Sequence, residues 1–163
     1  MRSVRFAPVL AGLLVAASCS LGAVAQEGSG EPPVAAAINQ MVTPETVRDT
    51  ICTRGWTKSI RPPSSYTAKL KRLLLFWRGE PQENKALFQL DHRLALSLGG
   101  DPIAQENLHL LPWDKARAKD GVARYLQCQV CNGEMSLGEA QRLNWDGWHS
   151  LVGQVAGKCH RAS

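Results

Sequence analysis

The sequence predicts a small α+β domain: a β-hairpin backed by a helix, further helices around that core, and disulfides stapling it. Three observations point there. Two short apolar stretches, residues 87–96 and 107–111, flank the turn cluster Gly99-Gly100-Asp101-Pro102. Apolar residues recur at helical spacing over 70–77, and a second helical pattern runs from Pro112 or Trp113 to about Gln129. Four cysteines, Cys52, Cys128, Cys131 and Cys159, remain once an N-terminal export signal is set aside.

That signal opens the chain. Arg2 and Arg5 precede an apolar stretch from Val9 to Ala17, broken only by Gly12, and Ala23-Val24-Ala25 closes it before Gln26. A basic start, an apolar segment of roughly 7–15 residues and an A-x-A site make a secretory signal, so cleavage after residue 25 is expected. A membrane-spanning helix needs about 20 apolar residues, and Ser18, Cys19 and Ser20 interrupt this run. Lipid attachment at Cys19 is disfavoured because Ala16 stands where a large aliphatic residue is usual. The expected location is the periplasm or the exterior.

The 138 residues left of 163 can build one core but hardly two. They carry 17 basic and 14 acidic residues, a net charge of +3, and the arrangement says more than the total. From Thr50 to Gly79 lie Arg54, Lys58, Arg61, Lys69, Lys71, Arg72 and Arg78 with no acidic residue among them. Such a stripe suits a polyanion such as nucleic acid, and equally an ordinary solvated helix face.

The elements follow in order. Residues 26–40, rich in Gly, Glu, Pro and Ala, read as a flexible leader to a domain over 41–160. Thr43-Pro44-Glu45 starts a short helix ending near Cys52, with Thr43 as cap and Pro44 at its first position. After the turn at Arg61-Pro62-Pro63, Ser64 or Ser65 caps a helix whose buried face is Leu70, Leu73, Leu74 and Trp77. Lys69, Lys71 and Arg72 fall away from that face, and Gly79-Glu80-Pro81 ends the helix. Behind the hairpin, Ala116, Val122, Leu126 and Val130 face inward, and Asn132-Gly133 turns the chain. Ser136 and Glu139 have capping-box spacing and open a last helix burying Ala140, Leu143 and Trp148. Trp113, Trp145 and Trp148 read as core rather than as platforms for bases.

An even number of cysteines in an oxidising compartment makes two disulfides the default. A zinc site from Cys128, Cys131, Cys159 and His160 is the rival, but the adjacency of Cys159 and His160 is awkward for one ion. A redox CxxC would follow a strand, whereas this one ends a helical pattern.

The chemistry-bearing stretch is Leu90-Asp91-His92, Leu96-Ser97-Leu98-Gly99-Gly100, Asn107-Leu108 and Lys119-Asp120. It resembles the HNH endonuclease motif, two antiparallel strands and a helix gripping one metal ion. The closer likeness is to small exported bacterial proteins built on it. Cys52, Arg61-Pro62, Ser65-Tyr66-Thr67, Ala116-Arg117-Ala118-Lys119-Asp120, Cys131-Asn132-Gly133 and residues 136–141 fill their pattern over roughly 43–148. The resemblance implies metal-dependent hydrolysis of nucleic acid by a divalent ion (Mg²⁺, Mn²⁺ or Zn²⁺). His92 would be the general base, Asp91 a metal ligand, and Asn107 the amide that orients the His92 ring or the hairpin. Lys69, Lys71, Arg72, Arg117 and Lys119 would contact phosphates. It also pairs Cys52 with Cys131, leaving Cys128 for Cys159.

Histidine suits the base role because its unperturbed pKa lies near neutrality. One departure stands out: Arg117 occupies the place of a second metal-binding histidine, and a guanidinium cannot ligate a metal. His109 or Asp114 would have to compensate. The rival reading is a secreted binding or structural module that keeps the HNH scaffold without catalysis.

Overall fold

A computed structural model describes residues 31–155; the expected signal peptide, the first part of the expected leader and Cys159 lie outside them. Alternating side chains make Phe88–His92 (β1) and Leu108–Pro112 (β2) an antiparallel pair, with Asp91 opposite His109 and His92 opposite Leu108. Among the described residues this two-stranded sheet joins helices Trp56–Ser59 (α1), Ser64–Trp77 (α2), Trp113–Asn132 (α3), Leu137–Arg142 (α4) and Trp148–Leu151 (α5). The architecture is therefore α+β. No helix among the described residues is long and apolar enough to cross a membrane.

The helix α3 runs behind the hairpin and buries Ala116, Val122, Leu126 and Val130, the positions its periodicity predicts. Gly133 ends it in the left-handed conformation that glycine adopts without a Cβ clash. Ser136 caps α4 by accepting from the Glu139 amide at 3.2 Å. Leu94, Leu98, Val122, Leu126, Trp145 and Trp148 belong to the main core, while Leu75, Phe88 and Leu110 form a second cluster between α2 and the hairpin.

Two details differ from expectation: Trp113, read as core, is 40% exposed, and α2 begins at Ser64 with no side-chain cap. Four larger departures each have a local cause. β1 stops at His92 rather than running to residue 96. Side chains compete there for the backbone: the Leu94 amide donates to Asn107 Oδ1 at 2.7 Å and the Ala95 amide to Asn144 Oδ1 at 2.8 Å. Arg93 lies 3.9 Å over the Trp145 ring. Gly100 then comes so close to the Leu94 carbonyl that an added Cβ would sit 1.9 Å from its oxygen.

Second, residues assigned to the leader belong to the fold. Ala37 is fully buried, Ile38 bridges Gly100, and the Asp101 amide donates to the Ala37 carbonyl at 2.8 Å. Third, residues 43–52 form successive turns instead of a helix. The Thr46 hydroxyl bonds the Met41 carbonyl and takes the Thr43 amide, so Thr46 rather than Thr43 organises this start. Fourth, α2 is rotated from its predicted face. Lys71, Leu74, Leu75 and Arg78 meet the hairpin, where Lys71 Nζ donates to the Phe88 carbonyl and Arg78 to that of Leu110. Leu73 and Trp77 are left 40% and 63% exposed.

Cys52 and Cys131 are joined across a sequence separation of 79, with Cα atoms 5.5 Å apart. This excludes the pairing of Cys131 with Cys128 in one zinc or redox site. Cys128 is itself disulfide-bonded, and its expected partner Cys159 lies outside the described residues. The Cys52 bridge ties the turns of residues 43–52 to the end of α3, beside the Arg48 bond to the Cys131 carbonyl at 2.6 Å. In the chain-entropy model a loop of this size is worth about 4.5 kcal/mol, an upper figure. Cys52→Ser is therefore expected to lower the melting temperature by on the order of 10 °C, and Cys159→Ser, which on the expected pairing with Cys128 opens the shorter loop, by less. Calorimetry of the two variants checks the ranking, and equal losses would contradict it.

Candidate functional site

The end of β1 with the loop after it, α1 with the turn that follows it, and one face of α3 enclose a cleft of about 240 Å³. Asp91, Asp120, Arg61 and Arg124 supply its charge, and His92, Gln89, Thr57 and Ser97 complete its polar wall. Asp120 and Arg124 are four apart and so share a helix face. Neighbours on a strand normally point to opposite sides, but both Asp91 and His92 line this cleft because the chain leaves the sheet immediately after them.

His92 Nε2 lies 3.1 Å from the Pro102 carbonyl. A carbonyl only accepts, so Nε2 carries the proton and Nδ1 is the basic nitrogen. Burial lowers the His92 pKa; the Pro102 bond and the Asp91 charge pull it up, and Arg61 and Lys119 push it down again. The net shift is downward, so the ring is neutral at neutral pH. Asn107 does not bond this ring. Fully buried, it donates through Nδ2 to the carbonyls of Leu94 at 3.1 Å and Asp101 at 2.7 Å. It thereby fixes the loop whose next residue, Pro102, holds His92, which is a positioning role.

Asp91 is 4% exposed, and its Oδ2 accepts from Lys119 Nζ at 2.7 Å and His109 Nε2 at 3.0 Å. Burial alone would raise its pKa, but the His109 bond and the Lys119 charge and bond outweigh it and hold the carboxyl below the ordinary range. His109, opposite Asp91 in register, is thus a carboxylate partner.

Lys119, expected on phosphate, is 2% exposed and is used inside the protein: it also donates to the His92 carbonyl at 2.6 Å. Lys71 is similarly committed to Phe88. Lys69, Arg72 and Arg117 are exposed and do not line the cleft. Arg117, where the resemblance would place a metal-binding histidine, therefore lies outside the cleft.

Three charged residues of the cleft had no role assigned from the sequence. Arg61 and Asp120 stand in the motif blocks, and Arg124 was legible only through its i, i+4 relation to Asp120. The Asp120 pKa is raised by burial and then by the Asp91 charge, against the pull of Lys119, Arg124 and Arg61. Comparisons with protein-family models, curated proteins and solved structures found no match.

Proposed function

We propose that the protein is an exported HNH-type endonuclease that hydrolyses phosphodiester bonds in the Asp91–His92 cleft. The observation that carries this reading is the placement of His92: its Nε2 is fixed on the Pro102 carbonyl, which leaves Nδ1 as the basic nitrogen, in a cleft that also holds two arginines. His92 Nδ1 takes a proton from a water as that oxygen bonds to phosphorus; the bond to the leaving oxygen breaks, that oxygen takes up a proton from solvent, and His92 returns its own proton to solvent. Arg61 and Arg124 offer the planar donors that suit a phosphate.

The residues at hand fit Mg²⁺ or Mn²⁺ better than Zn²⁺. Mg²⁺ is commonly held by one or two carboxylates plus substrate phosphate oxygens, and Asp91 and Asp120 are such a pair in one cleft. Zinc wants a fuller set of nitrogen and sulfur donors, and no group of three or more His, Cys, Asp or Glu that could hold a metal occurs among the described residues. When bound, the ion supplies charge stabilisation at the phosphate.

A plasmid-nicking assay on the purified protein tests the reading. Supercoiled DNA is expected to open with Mg²⁺ or Mn²⁺ and to stay intact in EDTA. One observation favours the non-catalytic module instead: the Lys119 ammonium already occupies Asp91 Oδ2. Nucleic-acid binding with no nicking under any metal would select that second reading.

A further inference from the structure

The outer face of α2 combines two features that seldom occur together without a ligand. Phe76 is 73% and Trp77 63% exposed, and Leu73 on the same helix is exposed with them. Lys69, Arg72, Leu73 and Phe76 are spaced i, i+3, i+4 and i+7 and so lie along one helix face, with Trp77 four residues after Leu73. Two exposed cations at the start of this face are therefore followed, a turn further on, by the exposed rings. The opposite face, through Lys71, Leu74 and Leu75, is already used against the hairpin.

A monomer rarely leaves such an apolar group uncovered without a purpose, and charge narrows what covers it. No acidic residue lies between Asp49 and Glu80. A second copy docking through the same face would bring like charges together, so an anionic partner is favoured. A shallow groove beside Trp77 is walled by Leu74, Arg78, Leu108, His109 and Leu110. His109 Nε2 is 3.0 Å from Asp91 Oδ2 in the cleft, so one side chain separates this groove from the candidate site.

We infer that the outer face of α2, through Phe76 and Trp77, is a stacking platform for unpaired bases of a nucleic-acid strand, with Lys69 and Arg72 on its phosphates. Rings set beside cations offer a strand both a stacking surface for its bases and positive charge for its phosphates. Bases inside a duplex have both faces covered by their neighbours, so exposed rings of this kind select a strand whose bases are free. The inference rests on the nuclease reading for the link to the cleft, and it defines that enzyme's substrate as single-stranded or locally unpaired nucleic acid.

The test is fluorescence anisotropy with a labelled oligothymidylate and a labelled duplex, in EDTA so that cleavage plays no part. Phe76→Ala/Trp77→Ala is expected to weaken oligothymidylate binding by about five- to a hundred-fold, as for lost base stacking. Duplex binding should change less than about twofold, as expected of electrostatic contact alone, and Trp77→Phe should keep most of the single-strand affinity because it keeps a ring. Both side chains are exposed, and an unchanged melting temperature establishes that the double variant is folded. Unchanged oligothymidylate affinity, or an equal loss on duplex, overturns the inference. So does Trp77-dependent binding to phosphatidylglycerol vesicles without an effect on the oligonucleotide, or a dimer that the double variant dissolves. Nicking activity with no Trp77 effect removes this inference alone, whereas Trp77-dependent binding without nicking removes only the nuclease reading.

Discussion

His92→Ala is expected to lower nicking turnover by at least about 10²-fold, the usual cost of removing a general base, with little change in fold. The ring lies at the mouth of the loop and makes one bond, to Pro102, so truncation is local. Equal activity in wild type and variant would identify a contaminating nuclease and remove the assignment. The pH profile supplies a second check. Because burial lowers the His92 pKa, the acid limb of wild-type activity should lie below about pH 6.5, the ordinary histidine value. The same shift bears on stability. Between the folded pKa and about 6.5 the unfolded chain binds more protons than the folded one, so stability falls as pH drops through that window. His92→Ala should remove that part of the acid sensitivity, which urea titrations at pH 7 and 5 would read.

The hairpin, α3 and the Ser136 cap were legible because each rests on local signals: alternation, a 3.6-residue period and a side chain three residues from an orphan amide. What the sequence hid was set by tertiary competition. The apolar run past His92 looks like strand, yet Asn107 and Asn144, 13 and 49 residues away in sequence from the residues they bond, take the amides of Leu94 and Ala95. Helix α2 has apolar residues on more than one side, so periodicity could not say which side meets the hairpin. The answer came from Lys71, whose long stem reaches the Phe88 carbonyl and turns Leu75 inward.

The candidate site was half legible for the same reason. Asp91 and His92 are adjacent in sequence and could be singled out together. The rest of the cleft is assembled from α3 and from the turn before α2, so Arg61, Asp120 and Arg124 meet it only through folding. Lys119 was misread because a lysine beside a motif looks like a phosphate contact, while its actual partner, Asp91, lies 28 residues earlier. Of the five cations expected on phosphates, Lys69, Arg72 and Arg117 stay exposed, whereas Lys71 and Lys119 are drawn to protein oxygens.

Lys119→Met is expected to be the most damaging single change in the site. It removes the ammonium from a carboxylate that is 4% exposed and leaves Asp91 with His109 as its hydrogen-bond donor. Breaking a buried pair in this way typically costs about 3–5 kcal/mol. The bond to the His92 carbonyl is lost as well, so the end of β1 loosens with it. The pH dependence gives the mechanism away. In the wild type the Asp91 carboxyl is held below its ordinary value. Its contribution is therefore fully present above about pH 3.9, the unfolded value, and is lost only as pH falls through the lower folded pKa. Without Lys119 the raising effect of burial is opposed by less, and the variant gains from protonating Asp91. The gap between wild type and Lys119→Met, measured by urea unfolding, should narrow between pH 7 and pH 4.5. Asp91→Asn/Lys119→Met, which buries no charge at this position, should recover part of the loss, giving a coupling energy of on the order of 1–3 kcal/mol. A single variant within about 1 kcal/mol of wild type at pH 7, or a gap that does not change with pH, would show that the ammonium is not what holds Asp91 ionised.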